Sequence, residues 1–305
     1  TSYSVTGIQS STGCSETTQV QVSPAPNPSA NFTPPPPQCL SANGLTFTSN
    51  SSISSGTINS TIWNFGSSGI QNGDNVIQSF SAPGTYNVTL TVVSNNNCST
   101  SISKPVVINP GPEAVFNPPS AQCLGTNNFT FTSNSTVPTG TITNYSWQFG
   151  DQSSQVGPSV NHTYNTADTF DVSLTVTSDK GCLDDTTIKV VVHPNATVDF
   201  IEPAPQCFIA SGNAFAFTSN SSIASPEVVA TNEWDFGNGV LINGTNVSHV
   251  YNGSGPHSIL LISTTGNGCI DSIRKAVVIN PLPNVDFVSP PPQCFLENNF
   301  TFSST

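Results

Sequence analysis

A Trp-x-Phe-Gly sequence recurs three times in this chain of 305 residues and constrains its fold more than any other feature. The copies lie at residues 63–66, 147–150 and 234–237, and they contain every Trp of the chain. A Trp and a Phe two residues apart point to the same side of a β-strand, and the Gly permits the tight turn that ends it. We therefore predict that each copy forms the centre of a small β-sandwich core. The predicted core residues are Trp63, Phe65, Trp147, Phe149, Trp234 and Phe236.

Four cysteines repeat with nearly the same period as the tryptophans. Cys39, Cys123, Cys207 and Cys294 are spaced by 84, 84 and 87 residues. Repeats of this length are whole domains, and about 85 residues is close to one small immunoglobulin-like sandwich. The three extra residues of the last interval fall at 224–227, a sequence typical of a lengthened loop. We expect the tail of a domain at 1–25, complete domains at 26–110, 111–194 and 195–281, and the first part of a further domain at 282–305.

The hydrophobic pattern within each repeat predicts strands and no helix. In the first repeat Tyr86, Val88, Leu90 and Val92 alternate with polar residues, which is typical of a strand with one buried face. The four prolines at 34–37 cannot pair inside a sheet and indicate an edge or a crossing. The sequence therefore predicts an all-β fold of tandem immunoglobulin-like sandwiches, joined by proline-containing linkers that limit bending.

Composition favours a protein that works outside the cell. Only 7% of the residues are charged, and Ser, Thr and Asn are abundant in their place. A net charge of −12 with five Lys and Arg argues against nucleic acid and anionic lipid as partners. No apolar run approaches the ~20 residues of a membrane span. Because Met and a signal peptide are both absent, we expect the chain to be a slice of a longer secreted or cell-surface protein.

Several motifs resemble those of the PKD (polycystic kidney disease) domain family. Trp-Gln-Phe-Gly-Asp at 147–151, His-Thr-Tyr at 162–164 and Thr-Phe-Asp-Val-Ser-Leu-Thr-Val at 169–176 follow the order of the family's pattern, and several motifs of that pattern recur in order three times. The cysteine positions resemble PKD repeats of Bacteroidetes-type surface proteins, including gliding-motility adhesins. The acidic turn of the family is replaced by Ser67-Ser68 and by Asn238-Gly239, which argues against a calcium role for that turn.

Eight cysteines indicate an oxidising compartment. Eight cysteines allow 105 pairings, but the repeat reduces them to three regular schemes. One scheme joins Cys39 to Cys98 within a domain, and a second joins Cys98 to Cys123 across the linker. The third joins Cys39 to Cys182 and Cys123 to Cys269, which links consecutive domains.

The topology of an immunoglobulin-like sandwich favours the third scheme. In that topology Cys39 lies at the end where one domain meets the next, and Cys98 lies at the opposite end, about 30 Å away. A disulfide needs Cα atoms about 5–6 Å apart. The within-domain bond and free thiols remain open as alternatives. Interdomain disulfides would stiffen the array into an elongated rod. They would leave Cys14, Cys98, Cys207 and Cys294 to pair with domains outside this chain.

The sequence contains no nucleophile motif, no phosphate-binding glycine loop and no Cys/His metal spacing, so we predict neither an enzyme nor a cofactor or metal site. His162 and His249 precede a turn and are interpreted as structural. We interpret the chain as a stalk or filament segment of an adhesin, whose partners are the neighbouring repeats. The alternatives are a module that binds surface glycans or proteins, a spacer of an extracellular hydrolase, and a filament or sheath of like chains.

Two short sequences resemble the Asp-Ser/Thr-x O-glycosylation site of Bacteroidetes proteins. They are Asp185-Thr186-Thr187 and Asp271-Ser272-Ile273. The resemblance implies that Thr186 and Ser272 are candidate sites of O-glycosylation.

Overall fold

The computed structural model describes residues 1–293 and 299–303 and confirms the predicted all-β fold. Short 3-10 turns occur at Leu40–Ala42, Gly66–Ser68 and Leu124–Thr126. None of the helical segments in the described part of the chain has the length and hydrophobicity of a membrane span.

Within the described residues, the strands form an N-terminal hairpin and three sets of seven. The hairpin consists of β1 (Ser2–Ile8) and β2 (Ser15–Gln21). The first repeat contains β3 (Gln38–Cys39), β4 (Leu45–Thr48), β5 (Ile58–Asn64), β6 (Ile70–Asn72), β7 (Asn75–Gln78), β8 (Gly84–Ser94) and β9 (Ser99–Asn109). The middle repeat contains β10 (Gln122–Cys123), β11 (Phe129–Thr132), β12 (Ile142–Gln148), β13 (Ser154–Val156), β14 (Ser159–His162), β15 (Thr169–Ser178) and β16 (Leu183–His193). The third repeat contains β17 (Gln206–Cys207), β18 (Asn213–Thr218), β19 (Val229–Asp235), β20 (Leu241–Asn243), β21 (Asn246–Tyr251), β22 (Gly255–Thr265) and β23 (Ile270–Asn280).

Each repeat has the same two-sheet topology. In the first repeat a five-stranded sheet has the order β3-β9-β8-β5-β6, and a two-stranded sheet pairs β4 with β7. The short β3 runs parallel to β9, whereas the other pairs are antiparallel. The middle and third repeats repeat this order with β10 to β16 and β17 to β23. This is the architecture of a small sandwich with one buried layer of side chains.

The chain divides into two compact units. The first unit comprises residues 1–117, 131–160 and 172–188. The second unit comprises residues 118–130, 161–171 and 189–305. The N-terminal hairpin and the first repeat belong to the first unit, and the third repeat belongs to the second.

Each Trp is held at the centre of its repeat by packing and by one hydrogen bond. Trp63, Trp147 and Trp234 are fully buried, and each packs edge-on against a Phe, as Phe32 does at a centroid distance of 5.1 Å from Trp63. Each indole N–H donates to the carbonyl of a glycine ten residues later. The acceptors are Gly73, Gly157 and Gly244, at 2.9, 2.9 and 2.8 Å. Phe65, Phe149 and Phe236 are buried beside them.

A second close aromatic pair recurs in each repeat, and its members differ between repeats. The ring pairs have centroid distances of 3.9 to 4.1 Å. They are Phe80 with Tyr86, Tyr164 with Phe170, and Tyr251 with His257. The close ring contact, tilted in the first repeat and stacked in the other two, is kept while the chemical identity of the two rings varies, which preserves the apolar contact area at this position.

Candidate functional site

The cysteines occupy two recurring positions, and the first lies where each repeat ends. We call Cys39, Cys123, Cys207 and Cys294 the first-loop cysteines. Three of them are the last residues of the short parallel strands β3, β10 and β17. The strand register places Cys39 opposite Asn109, Cys123 opposite His193 and Cys207 opposite Asn280. These three partners are the last residues of β9, β16 and β23. Each of these first-loop cysteines therefore sits beside the point where the chain leaves its repeat. Cys294 lies outside the described residues.

The second position is the last hairpin, at the start of the final strand. Cys98, Cys182 and Cys269 each immediately precede a final strand, and with Cys14 of the N-terminal hairpin we call them the hairpin cysteines. Each of the three amides donates to the buried hydroxyl of a residue four positions earlier, at 3.1 to 3.2 Å. The acceptors are Ser94, Ser178 and Thr265. The sequence analysis missed these hydroxyls, although a Ser or Thr four residues before each Cys was visible.

The two positions are far apart within one repeat. Cys39 lies opposite the last residue of β9, whereas Cys98 precedes its first residue. A strand of 11 residues is about 36 Å long. A disulfide between Cys39 and Cys98 would therefore require the repeat to unfold.

The structure brings the first-loop cysteine of one repeat together with the hairpin cysteine of the next. Cys39 and Cys182 have Sγ atoms 2.10 Å apart and Cα atoms 5.5 Å apart, within the first unit. Cys123 and Cys269 have Sγ atoms 2.06 Å apart and Cα atoms 5.4 Å apart, within the second unit. Both Cα separations suit an unstrained disulfide. Cys182 and Cys269 are 1% and 0% exposed, so a reductant has little access to these sulfurs.

Three further cysteines carry no disulfide in the described part of the chain. Cys14 and Cys207 are exposed, and Cys98 is half-buried. Cys14 and Cys98 are hairpin cysteines and Cys207 is a first-loop cysteine. They therefore occupy the same local positions as the cysteines that form the two bonds.

Asn195 adds a noncovalent connection beside the second disulfide, within the second unit. Its Oδ1 accepts from the Gly125 amide at 3.1 Å, and its Nδ2 donates to the Ile270 carbonyl at 3.1 Å. Gly125 lies two residues after Cys123, and Ile270 directly follows Cys269. Gly111 occupies the corresponding position in the preceding linker, and it has no side chain that could form these two hydrogen bonds.

The lengthened loop of the third repeat also contacts the end of the middle repeat. Glu227 Oε1 lies 3.8 Å from Nδ1 of His193 and accepts a hydrogen bond from the side chain of Asn267. Sequence analysis identified the insertion at 224–227 but gave no indication of its partners, because His193 is distant in sequence. The insertion therefore has a structural role at this junction.

The turn that follows β19 in the third repeat is held by Asp235, the last residue of that strand. Asp235 Oδ1 accepts from the amides of Gly237, Asn238 and Gly239 at 2.8 to 3.1 Å. These hydrogen bonds, led by that of Gly237, hold the pKa of Asp235 below its usual value. Across the described residues, no three His, Cys, Asp or Glu side chains are grouped to hold a metal ion.

The two predicted structural histidines lie against aromatic rings. His162 meets Tyr164 edge-on at 4.5 Å, and His249 stacks on Phe236 at 4.5 Å. Burial, followed by the nearby charge of His257, lowers the pKa of His249. Of the two candidate glycosylation residues, Ser272 is exposed on β23 and Thr186 is half-buried on β16.

Comparison with known proteins agrees with this repeated architecture. The family profile described as PKD domain matches residues 25–109, 109–192 and 200–280. The pre-pro-metalloprotease PrtV of Vibrio cholerae serotype O1 is 30% identical over 140 residues, which cover 45% of this chain. The matched region spans only 15% of the length of that relative.

Solved PKD domains from two Vibrio species are also similar. The PKD1 domain of Vibrio anguillarum Epp is 29% identical, covering 28% of this chain and 98% of its own length, with a TM-score of 0.26. The PKD1 domain of the Vibrio cholerae metalloprotease PrtV is 28% identical, covering 27% and 96%, with a TM-score of 0.25. With three profile matches over most of its length, the chain belongs to the PKD domain family.

Proposed function

We propose that this chain is a non-catalytic structural segment of a secreted or cell-surface protein, in which disulfides link consecutive PKD repeats. The observation that carries the proposal is the pairing of Cys39 with Cys182 and of Cys123 with Cys269. Each pair adds a covalent connection between neighbouring repeats, which is useful to a stalk or spacer that resists bending and pulling.

Two observations support an extracellular setting. Disulfides persist in oxidising compartments and are rare in the cytosol of most organisms. The similar Vibrio protein is named a pre-pro-metalloprotease. We propose residues 26–110, 111–194 and 195–281 as the folding units of this segment, a point that limited proteolysis can test.

The specific role of this structural segment depends on the protein that contains it. We favour a stalk or filament of an adhesin, in keeping with the resemblance of the cysteine positions to those of gliding-motility adhesins. A spacer in an extracellular hydrolase is the second candidate, because the similar Vibrio protein is named a metalloprotease. A repeat module that binds glycans or proteins, and a sheath of like chains, predict specific surface contacts that a spacer does not need.

Replacement of the repeats in the native protein separates these functions. One variant carries three unrelated immunoglobulin-like sandwiches of similar length, joined to one another by engineered disulfides, in place of residues 26–281, and a matched variant carries a flexible Gly/Ser linker. A structural segment predicts that the sandwiches retain the native activity or adhesion and that the flexible linker does not. Loss of function with both replacements would contradict the proposal, because it would show that the PKD surface itself is recognised.

We also propose O-glycosylation of Thr186 or Ser272. Exposure of Ser272 on β23 leaves its hydroxyl accessible to a modifying enzyme. Intact-mass analysis of natively produced protein tests this proposal. A mass equal to that of the bare polypeptide would refute it.

A further inference from the structure

The two disulfides overlap along the chain. The first joins residues 39 and 182, and the second joins 123 and 269. Cys123 lies inside the loop closed by the first disulfide, and Cys182 lies inside the loop closed by the second. Two successive, separate loops would simply remove their residues from the path of a pulling force. Overlapping loops have a different mechanical consequence.

Three chain segments connect the two disulfides. They run from 39 to 123, from 123 to 182 and from 182 to 269, and they contain 84, 59 and 87 residue steps. The first contains strands β4 to β9, the second β11 to β15, and the third β16 to β22. Each segment therefore contains most of the strands of a different repeat.

We propose that these overlapping disulfides make the three PKD repeats bear tension in parallel, so that none can extend fully while the other two stay folded. The inference rests on the proposed structural function for its biological meaning. A repeat whose longest strands have 11 residues is only about 36 Å long when folded. Moving the two disulfides apart by much more than that lengthens all three segments at once. The applied force is then divided among three folded structures.

The path of the force through each junction supports the inference. The first repeat passes load onward through its linker after Asn109 and through Cys39, and these two residues are direct neighbours in register. The middle repeat does the same through His193 and Cys123. At each junction, force therefore passes through two covalent connections, the linker and the disulfide. The two connections leave the sheet side by side, so neither repeat is pulled by its linker alone.

Chain connectivity gives the expected lengths. The shortest covalent path from residue 1 to residue 305 has 133 steps with both disulfides, 158 with only the second, 161 with only the first, and 304 with neither. At ~3.3–3.6 Å per residue, the oxidised chain reaches about 450 Å and the reduced chain about 1,050 Å. Removal of one disulfide therefore adds only 25 or 28 steps, whereas removal of both adds 171. The large difference between removing one disulfide and removing both is what we expect when the two disulfide loops overlap.

Single-molecule force spectroscopy on the full chain tests the proposal. The ends are attached through peptide-ligation tags, and the remaining thiols are alkylated beforehand. We expect the oxidised chain to show no unfolding step of a whole repeat, which would be about 240–280 Å once the folded length is subtracted. The same chain under reducing conditions is expected to show three such steps, because its repeats are then loaded one after another.

Two variants assign the steps to particular repeats. Cys39→Ser places the whole first repeat in series, and Cys123→Ser places the whole third repeat in series, so each is expected to restore one full-repeat step. Cys98→Ser is the matched control and is expected to behave like the oxidised parent. Three full-repeat steps in the oxidised parent would overturn the inference, as would a Cys39→Ser variant that still shows none. The force experiment and the replacement of the repeats read different properties, so either proposal can fail alone.

Discussion

Cys39 lies in parallel register opposite Asn109, the last residue of β9. The residue that bonds to the next repeat and the residue that leads into the linker are therefore neighbours in the sheet. Cys123 and His193 show the same relationship in the middle repeat. A short two-residue strand thus places a covalent crosslink beside each of these chain exits.

Reduction of the disulfides is expected to lower thermal stability. Each bond closes a loop of 143 or 146 residues, for which loop entropy sets an upper bound of about 5 kcal/mol. We expect the measured loss of stability to be smaller than this bound, because part of each loop remains folded when a single repeat unfolds. Calorimetry should show lower transition temperatures for Cys39→Ser and Cys123→Ser than for Cys98→Ser. Equal temperatures for all three variants would contradict a stabilising role.

Asn195→Ala is expected to speed reduction of the second disulfide. Asn195 bridges the Gly125 amide and the Ile270 carbonyl, close to both cysteines of that bond. Loss of the bridge allows the two repeats to open locally and exposes the buried sulfur of Cys269. Timed alkylation after addition of a dithiol measures the rate, and the Cys39–Cys182 bond in the same molecule is the control. Equal acceleration of both bonds would indicate general destabilisation instead.

Asn127→Ala is expected to destabilise the chain by about 2–4 kcal/mol, because it leaves buried backbone groups unpaired. Asn127 is 5% exposed. Its side chain donates to the carbonyls of Leu124 and Tyr164 and accepts from the amide of Tyr164. The adjacent exposed residue provides a matched control, Asn128→Ala, which should cost less than about 0.5 kcal/mol. Similar denaturant midpoints for the two variants would contradict this assignment.

The third repeat is expected to lose stability on acidification. Burial lowers the pKa of His249 below its ordinary value of about 6.5, so the unfolded chain takes up the proton first as pH falls. The contribution of His249 to the free energy of unfolding is therefore complete above about pH 6.5. It is lost as the pH falls from there through the lower pKa that His249 has in the folded protein. The electrostatic influence of the nearby His257 is the second cause of the lowered pKa of His249.

Hydrogen exchange, corrected for intrinsic rates, should show weaker protection of the third repeat at pH 5.5 than at pH 7.5. His249→Gln introduces the residue found at the equivalent position of the first repeat, Gln78, and should reduce the difference. An unchanged pH dependence in this variant would assign the effect to another group.

The sequence predicted the fold well because its main signals are local. The Trp and Phe of each copy, and the alternation around Val88 and Leu90, follow directly from the period of a strand. The contacts at the junctions depend on residues far apart in sequence. Asn195 meets a residue 75 positions away, and no local pattern indicates such a pairing. The spacing of the cysteines likewise left three schemes open, since the choice depends on which ends of the sandwiches meet.

Peptide mapping of natively produced protein under non-reducing conditions tests the central claim most directly. Cleavage before Asp and after Glu places all eight cysteines on different peptides. We predict that the peptide 17–73 is linked to 179–183 and that 114–150 is linked to 235–270. A link between 17–73 and 74–113, which would join Cys39 to Cys98, would contradict the account, as would free thiols at these four positions.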